Sequence, residues 1–171
     1  MLEHFARLLN TVPFSKASPG VTRLTIRAID SAEAPIEEHD LRSAPATADG
    51  AITLSRMHEH FDCSYEVEAR WDLWSQQDGA TKLSPCPIEI ICNGEEFDSG
   101  AYQDAGHLQI DFGSEDLFLA GESSASAGKL RENVVALQNW MAQVKQVVPL
   151  DRYSLWSEED ENFEARLHAL V

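Results

Sequence analysis

Positive charge is scarce in this chain of 171 residues: 13 Lys and Arg stand against 29 Asp and Glu, a formal net charge of −16. A surface of that sign repels DNA, RNA and anionic membranes through the same Coulomb term that attracts basic partners, so direct nucleic-acid binding is excluded as an expectation. Long apolar runs are missing as well. No stretch approaches the roughly 18 apolar residues that a membrane span requires. The opening Met1-Leu2-Glu3-His4-Phe5-Ala6-Arg7 has neither the basic start nor the continuous apolar run of a secretory signal, which points to a cytoplasmic product with no membrane partner. Cysteines are few and odd in number: Cys63, Cys86 and Cys92, with no two-residue metal spacing. Cys86 and Cys92 lie six apart, which in a strand places both on one face, and the three read as reduced structural thiols.

Signatures of catalysis are equally thin, and no cofactor is expected. The only cluster resembling metal ligands is His58-Glu59-His60-Phe61-Asp62. In an extended strand His58 and His60 would project to one side about 7 Å apart, close enough for a ligand pair. No supporting histidine motif follows, so a surface pair of histidines is the preferred reading. Gly121 to Lys129 resembles a phosphate loop but has six residues between its glycines, and Leu130 stands where a Ser or Thr should meet magnesium. Ser114 has no second glycine to build a nucleophile elbow.

What the chain does have is sidedness. An apolar content of 43% supports a real core, and the length argues for one domain over residues 1–171. Leu130, Val134, Leu137, Met141, Val144 and Val148 fall on one stripe, predicting a long helix over 128–148 that Trp140 and Val147 widen. Short amphipathic helices are expected at 1–10 and 157–170, the second capped by Ser157. Leu155 and Trp156 are expected to pack beneath the C-terminal helices.

Between them, residues 21–119 read as strands. Val21 to Asp30 alternates, and Asp62 to Ser75 alternates most clearly, with Cys63, Tyr65, Val67, Ala69, Trp71 and Leu73 on one face. Asp78-Gly79 is a strong hairpin signal and Asn93-Gly94 a second, the latter leading to a short strand at 95–98. The strand that follows Asp78-Gly79 is expected to begin after Pro85 and Pro87, which are tolerated at strand starts or edges. Further strands are expected at Ile36 to Arg42, at His107 to Gly113 and at Leu117 to Leu119, and Ala51 to His60 is open between strand and helix, with Ile52 and Leu54 favouring strand. Strands joined by hairpins rather than helices predict an α+β fold, an antiparallel sheet of about five to seven strands covered on one face by the long C-terminal helix.

The opposite face then collects Glu66, Glu68, Asp72, Glu89 and Asp111 with an exposed apolar pair, Trp74 and Ile91. Residues 61–122 hold two Lys/Arg against fourteen Asp/Glu, a net of −12, while each flanking segment nets −2. Like charges opposite one another destabilise a sheet by up to about 1 kcal/mol per pair, unless cations such as Arg23, Arg27 and Arg70 sit among them. The expectation is a non-enzymatic binding protein, of the inhibitor, immunity or adaptor kind, that offers this acidic face to a basic protein partner with Trp74 as anchor. The alternative is a ligand carrier or enzyme with a pocket lined by Tyr65, Trp71, Phe112 and Trp140. A homodimer through open sheet edges or the last helix is a third arrangement.

Overall fold

The computed structural model describes residues 1–119, 124–157 and 162–169. They form helix α1 (Leu2–Leu9), strands β1 (Val21–Ala28) and β2 (Glu37–Asp40), helix α2 (Ala48–Ser55), strands β3 (Cys63–Gln77) and β4 (Ala80–Asn93), helix α3 (Tyr102–Ala105), strand β5 (Leu108–Asp111), and helices α4 (Ser124–Val147) and α5 (Phe163–Ala169). The architecture is α+β. One antiparallel sheet has the order β2-β1-β3-β4-β5, and the long helix α4 packs on β3. No helix among the described residues is long and apolar enough to cross a membrane.

The sheet is built around the β3–β4 hairpin, paired from Ser64↔Asn93 to Gln77↔Ala80. Asp78 and Gly79 close it with φ of 53° and 76°; two positive φ values match the right-handed twist of the flanking strands. Period-two alternation decides the faces. Tyr65, Val67, Ala69, Trp71 and Leu73 are buried together with Cys86, Ile88, Ile90 and Cys92, while Glu66, Glu68, Pro87, Glu89 and Ile91 face the other way.

Against the buried face lie α1 (Leu2, Phe5, Leu8, Leu9), α2 (Ala51, Ile52) and the α4 stripe of Val134, Leu137, Trp140 and Val144. The predicted stripe is buried along its length, except that Val147 turns to solvent and Met141 is only partly covered. Burial raises the thiols of Cys63 and Cys92 to about 11 and about 12, in keeping with inert structural cysteines.

Five local expectations are corrected. β4 begins at Ala80, directly after the Asp78-Gly79 turn, and not after Pro87. Residues 48–55 are helical, not a strand: Thr47 caps them by accepting the Gly50 N–H at 3.1 Å, and Ala48, Ala51, Ile52 and Ser55 recur at helical spacing on the buried side. Asn93-Gly94 makes no hairpin and residues 95–98 no strand. Gly94 is required because a Cβ there would sit 2.1 Å from the Phe61 carbonyl oxygen, and the chain then enters a tight turn at Phe97–Gly100 in which Asp98 and Ser99 take left-handed backbone angles. Glu115–Leu117 is a 3₁₀ turn capped by Ser114, not a strand. Leu117, Phe118 and Leu119 are all buried, which alternation in a strand would not allow. Leu155 packs on the core, but Trp156 is 71% exposed. The lead-in at 121–123, the capping acids at 158–160 and Leu170 lie outside the described residues.

Beyond β1 the outer edge of β3 is met first by an isolated bridge, Phe14↔Trp71, with the Ser15 N–H on the Arg70 carbonyl at 2.6 Å, and farther on α4 closes it with one side chain. The Asn133 amide is buried, accepts the Trp74 N–H at 2.9 Å and donates to the carbonyls of Trp74 (2.8 Å) and Leu117 (2.6 Å). That contact also sets the alternation of the hairpin. Trp74 donates away from β4, so its partner Leu83 and, two and four residues on, Pro85 and Pro87 likewise turn their nitrogens outward. β5 pairs only with Glu89 to Cys92, so the missing proline N–H groups fall on an unpaired edge, where they break no ladder and discourage strand addition.

Replacing Asn133 with Ala should strand the backbone groups it serves and lower unfolding free energy by about 2–3 kcal/mol. Asn133→Asp should do no better, since a carboxylate cannot donate to the two carbonyls. Denaturant melts of both variants measure this.

Candidate functional site: the outward sheet face

The outward face is organised in rows that cross the strands. One row reads Asp40, Arg23, Glu68, Glu89, Asp111 from β2 to β5, and the next reads Glu38, Thr25, Glu66, Ile91, Gln109. Of the residues singled out from sequence, Glu66, Glu68, Glu89, Ile91 and Asp111 are therefore neighbours in two adjacent rows.

Cations are confined to the β1 side. Arg23 pairs with Glu38 and, at 3.1 Å, with Glu68; Arg27 Nε meets Glu66 at 3.0 Å. Asp40 holds Arg42, and this bond keeps its carboxyl well below the usual carboxylate range. Arg70 does not neutralise the face but reaches the Pro85 carbonyl at 3.3 Å.

Toward β5 the balance reverses. Glu68, Glu89 and Asp111 stand directly opposite one another on successive strands, and among the described residues no ion pair reaches Glu89 or Asp111. Glu89 has its pKa raised, first by burial and then by the negative charges of Glu66, Asp111 and Glu68, with Arg23 opposing.

Asp72 and Trp74 are separated from this group and already occupied. Asp72 accepts the Ser15 hydroxyl at 2.6 Å and the Lys16 N–H at 3.2 Å, fastening the loop after α1 to the edge of β3. Trp74 is half-buried rather than exposed: its indole N–H donates to Glu132 at 2.9 Å and the Lys129 ammonium lies 4.5 Å from its ring centroid. The twist of the long hairpin brings the first turns of α4 alongside Trp74, which no local pattern in residues 62–75 could announce. Ile91 is also half-buried, between Glu66 and Gln109.

The histidine pair does not converge. His58 belongs to a 3₁₀ turn (Arg56–His58), not a strand, and its Nε2 faces Glu37 at 2.5 Å, where His39 takes the other carboxylate oxygen at 2.7 Å. His60 Nδ1 faces Asp62 at 2.6 Å. Among the described residues no group of three or more His, Cys, Asp or Glu is arranged to hold a metal ion. The aromatics proposed to line a pocket fill space instead. Trp71 meets Trp140 edge-on at 5.2 Å and Phe112 at 5.9 Å, and Phe112 meets Phe118 at 4.9 Å; the Tyr65 hydroxyl donates to the His58 carbonyl at 3.0 Å.

A carboxyl whose folded pKa is raised binds its proton more tightly in the folded chain. Its stabilising contribution is complete below the unfolded value and is lost as pH rises through the folded one, so ionised Glu89 opposes folding at neutral pH. Glu89→Gln should raise the unfolding free energy at pH 7 by up to about 1 kcal/mol. The gain should shrink toward zero below about pH 4, as equilibrium melts across that range would report.

Comparison of the chain with family models, with curated proteins and with solved structures returns no match.

Proposed function

We propose that this chain is a non-enzymatic binding protein whose outward sheet face receives a basic protein partner. The observation that carries the reading is the row Glu68, Glu89 and Asp111. Like charges in register on adjacent strands weaken the sheet that bears them, and while Arg23 serves Glu68, no ion pair among the described residues reaches Glu89 or Asp111. A partner's Lys or Arg side chains would relieve the repulsion and lower the raised pKa of Glu89 on binding. Ile91, in the adjacent row, supplies apolar contact.

The division of the face into a neutralised half and a bare half narrows the footprint. Arg23 and Arg27 already serve Glu68 and Glu66 at the β1 side, so the contact centres on β4 and β5. Trp74 plays no anchoring part in this reading, because Glu132 and Lys129 hold it. The enzyme or carrier alternative is disfavoured by the interlocked rings beneath α4.

Electrostatic docking of this kind accelerates association and fades with salt. In a pull-down, the native chain should recover a basic partner at low salt and lose it at high salt. A Glu89→Lys, Asp111→Lys variant should recover it at neither. Equal recovery at both salt concentrations, or by the variant, counts against the sheet face as the binding surface.

A further inference from the structure

At the end of the sheet where β1 finishes and β3 starts, four large apolar side chains lie bare: Ile29 (63% exposed), Ile36 (49%), Met57 (72%) and Phe61 (58%). The pairings Ala28↔Cys63 and Ile26↔Glu37 bring them to one end although they are spread over more than thirty residues of chain. The backbone there is held in an unfavourable form. Ile29 has φ of 74°, a region that penalises β-branched side chains most. Its N–H donates to the Asp62 carbonyl at 2.9 Å, and its own carbonyl accepts the Asp98 N–H at 2.7 Å. Asp98 and Ser99, on the other side of that bond, also have positive φ, 52° and 56°. Turns hold these forms: the Asp30 N–H closes on the Ala28 carbonyl at 3.0 Å around Ile29, and the Ala101 N–H on the Asp98 carbonyl at 3.1 Å around Ser99; of the turn residues with positive φ, Ile29 alone is β-branched.

Stability alone would put glycine at position 29. A branched residue is kept there with its side chain out of the core, a conflict between local preference and fold that is typical of surfaces held ready for a ligand. The surroundings say what kind of ligand. Along these loops the acids Asp30, Glu33, Glu59, Asp62 and Asp98 outnumber the one full cation, Arg56; Asp62 faces His60, and the Arg27 guanidinium is committed to Glu66 and to the Glu33 carbonyl.

We infer that this end of the sheet is a docking site for an amphipathic basic segment of another protein, with apolar side chains resting on Ile29, Phe61 and Met57 and flanking Lys or Arg meeting the surrounding carboxylates. A second copy is the wrong occupant, because each chain carries a net charge of −16 and would bring the same acids to the contact. An anionic lipid surface is repelled for the same reason. The site is distinct from the β4–β5 row, and its test is separate.

The test uses the full chain and a fluorescein-labelled amphipathic peptide of leucine and lysine, with leucine/glutamine and leucine/glutamate analogues as controls. The lysine peptide should bind and the analogues should not. Ile29→Gly and Phe61→Ser should each weaken binding about tenfold. Glu89→Gln on the sheet face should leave it within about twofold. Ile29→Gly should meanwhile unfold at a denaturant concentration no lower than that of the native chain, since glycine accepts the backbone form found there. Loss of affinity without loss of stability is the combination that a merely structural Ile29 would not give. Unchanged affinity in both variants, equal binding of the glutamine analogue, or sedimentation showing a dimer that Phe61→Ser dissolves would overturn the inference.

Discussion

A sheet edge satisfied by a side-chain amide underlies the arrangement of this protein. β3 is longer than β1, so beyond the Phe14 bridge at Trp71 its far end would present unpaired N–H and C=O groups to water. Asn133 matches both groups of Trp74 and adds the Leu117 carbonyl. A primary amide has a donor and an acceptor set like those of a peptide unit, and in this position it stands in for the missing strand. Because Asn133 lies within the apolar stripe of α4, the same contact fixes the rotation of the helix and directs Leu137, Trp140 and Val144 onto the sheet. Trp140 extends the lock by donating its indole N–H to Thr11 at 2.9 Å, which ties the helix to the end of α1.

The functional reading follows from that placement. With α1, α2 and α4 packed on one side of the sheet, every second residue of the central strands turns the other way, and here many of those residues are acids. β1 brings arginines to its neighbours; β4 and β5 bring none, so repulsion accumulates where Glu89 meets Glu68 and Asp111. The carboxylates beside Ile29 and Phe61 mark a second region where acids outnumber cations. Both regions lie away from α4, so contacts there need not disturb the helix-to-sheet packing.

Much of the architecture was legible because it rests on short-range periodicity. The alternation of Cys63 to Leu73, the Asp78-Gly79 turn and the stripe from Leu130 to Val148 each state a face or a reversal within a dozen residues or so. The outward acids followed from the same parity. What escaped was decided at longer range or by capping. Ile52 and Leu54 imitate alternation over a stretch too short to separate it from a helix, and the Thr47 cap settles the matter. Gly94 looks like a turn glycine until Phe61 is seen against it. Trp74 reads as bare because Lys129, Glu132 and Asn133 are more than fifty residues away in the chain. The positive φ of Ile29 leaves no trace in composition, since the residue that would announce it, glycine, is absent.

The most direct test of this account is amide hydrogen exchange at Trp74 in the native chain, followed by NMR. If Asn133 replaces a strand, the Trp74 amide should exchange as slowly as that of Val67 in the middle of β3, although no neighbouring strand covers it. Exchange as fast as that of Asp78 at the exposed hairpin turn would mean that α4 does not close this edge, and the assignment of covered and bare sheet faces would lose its basis.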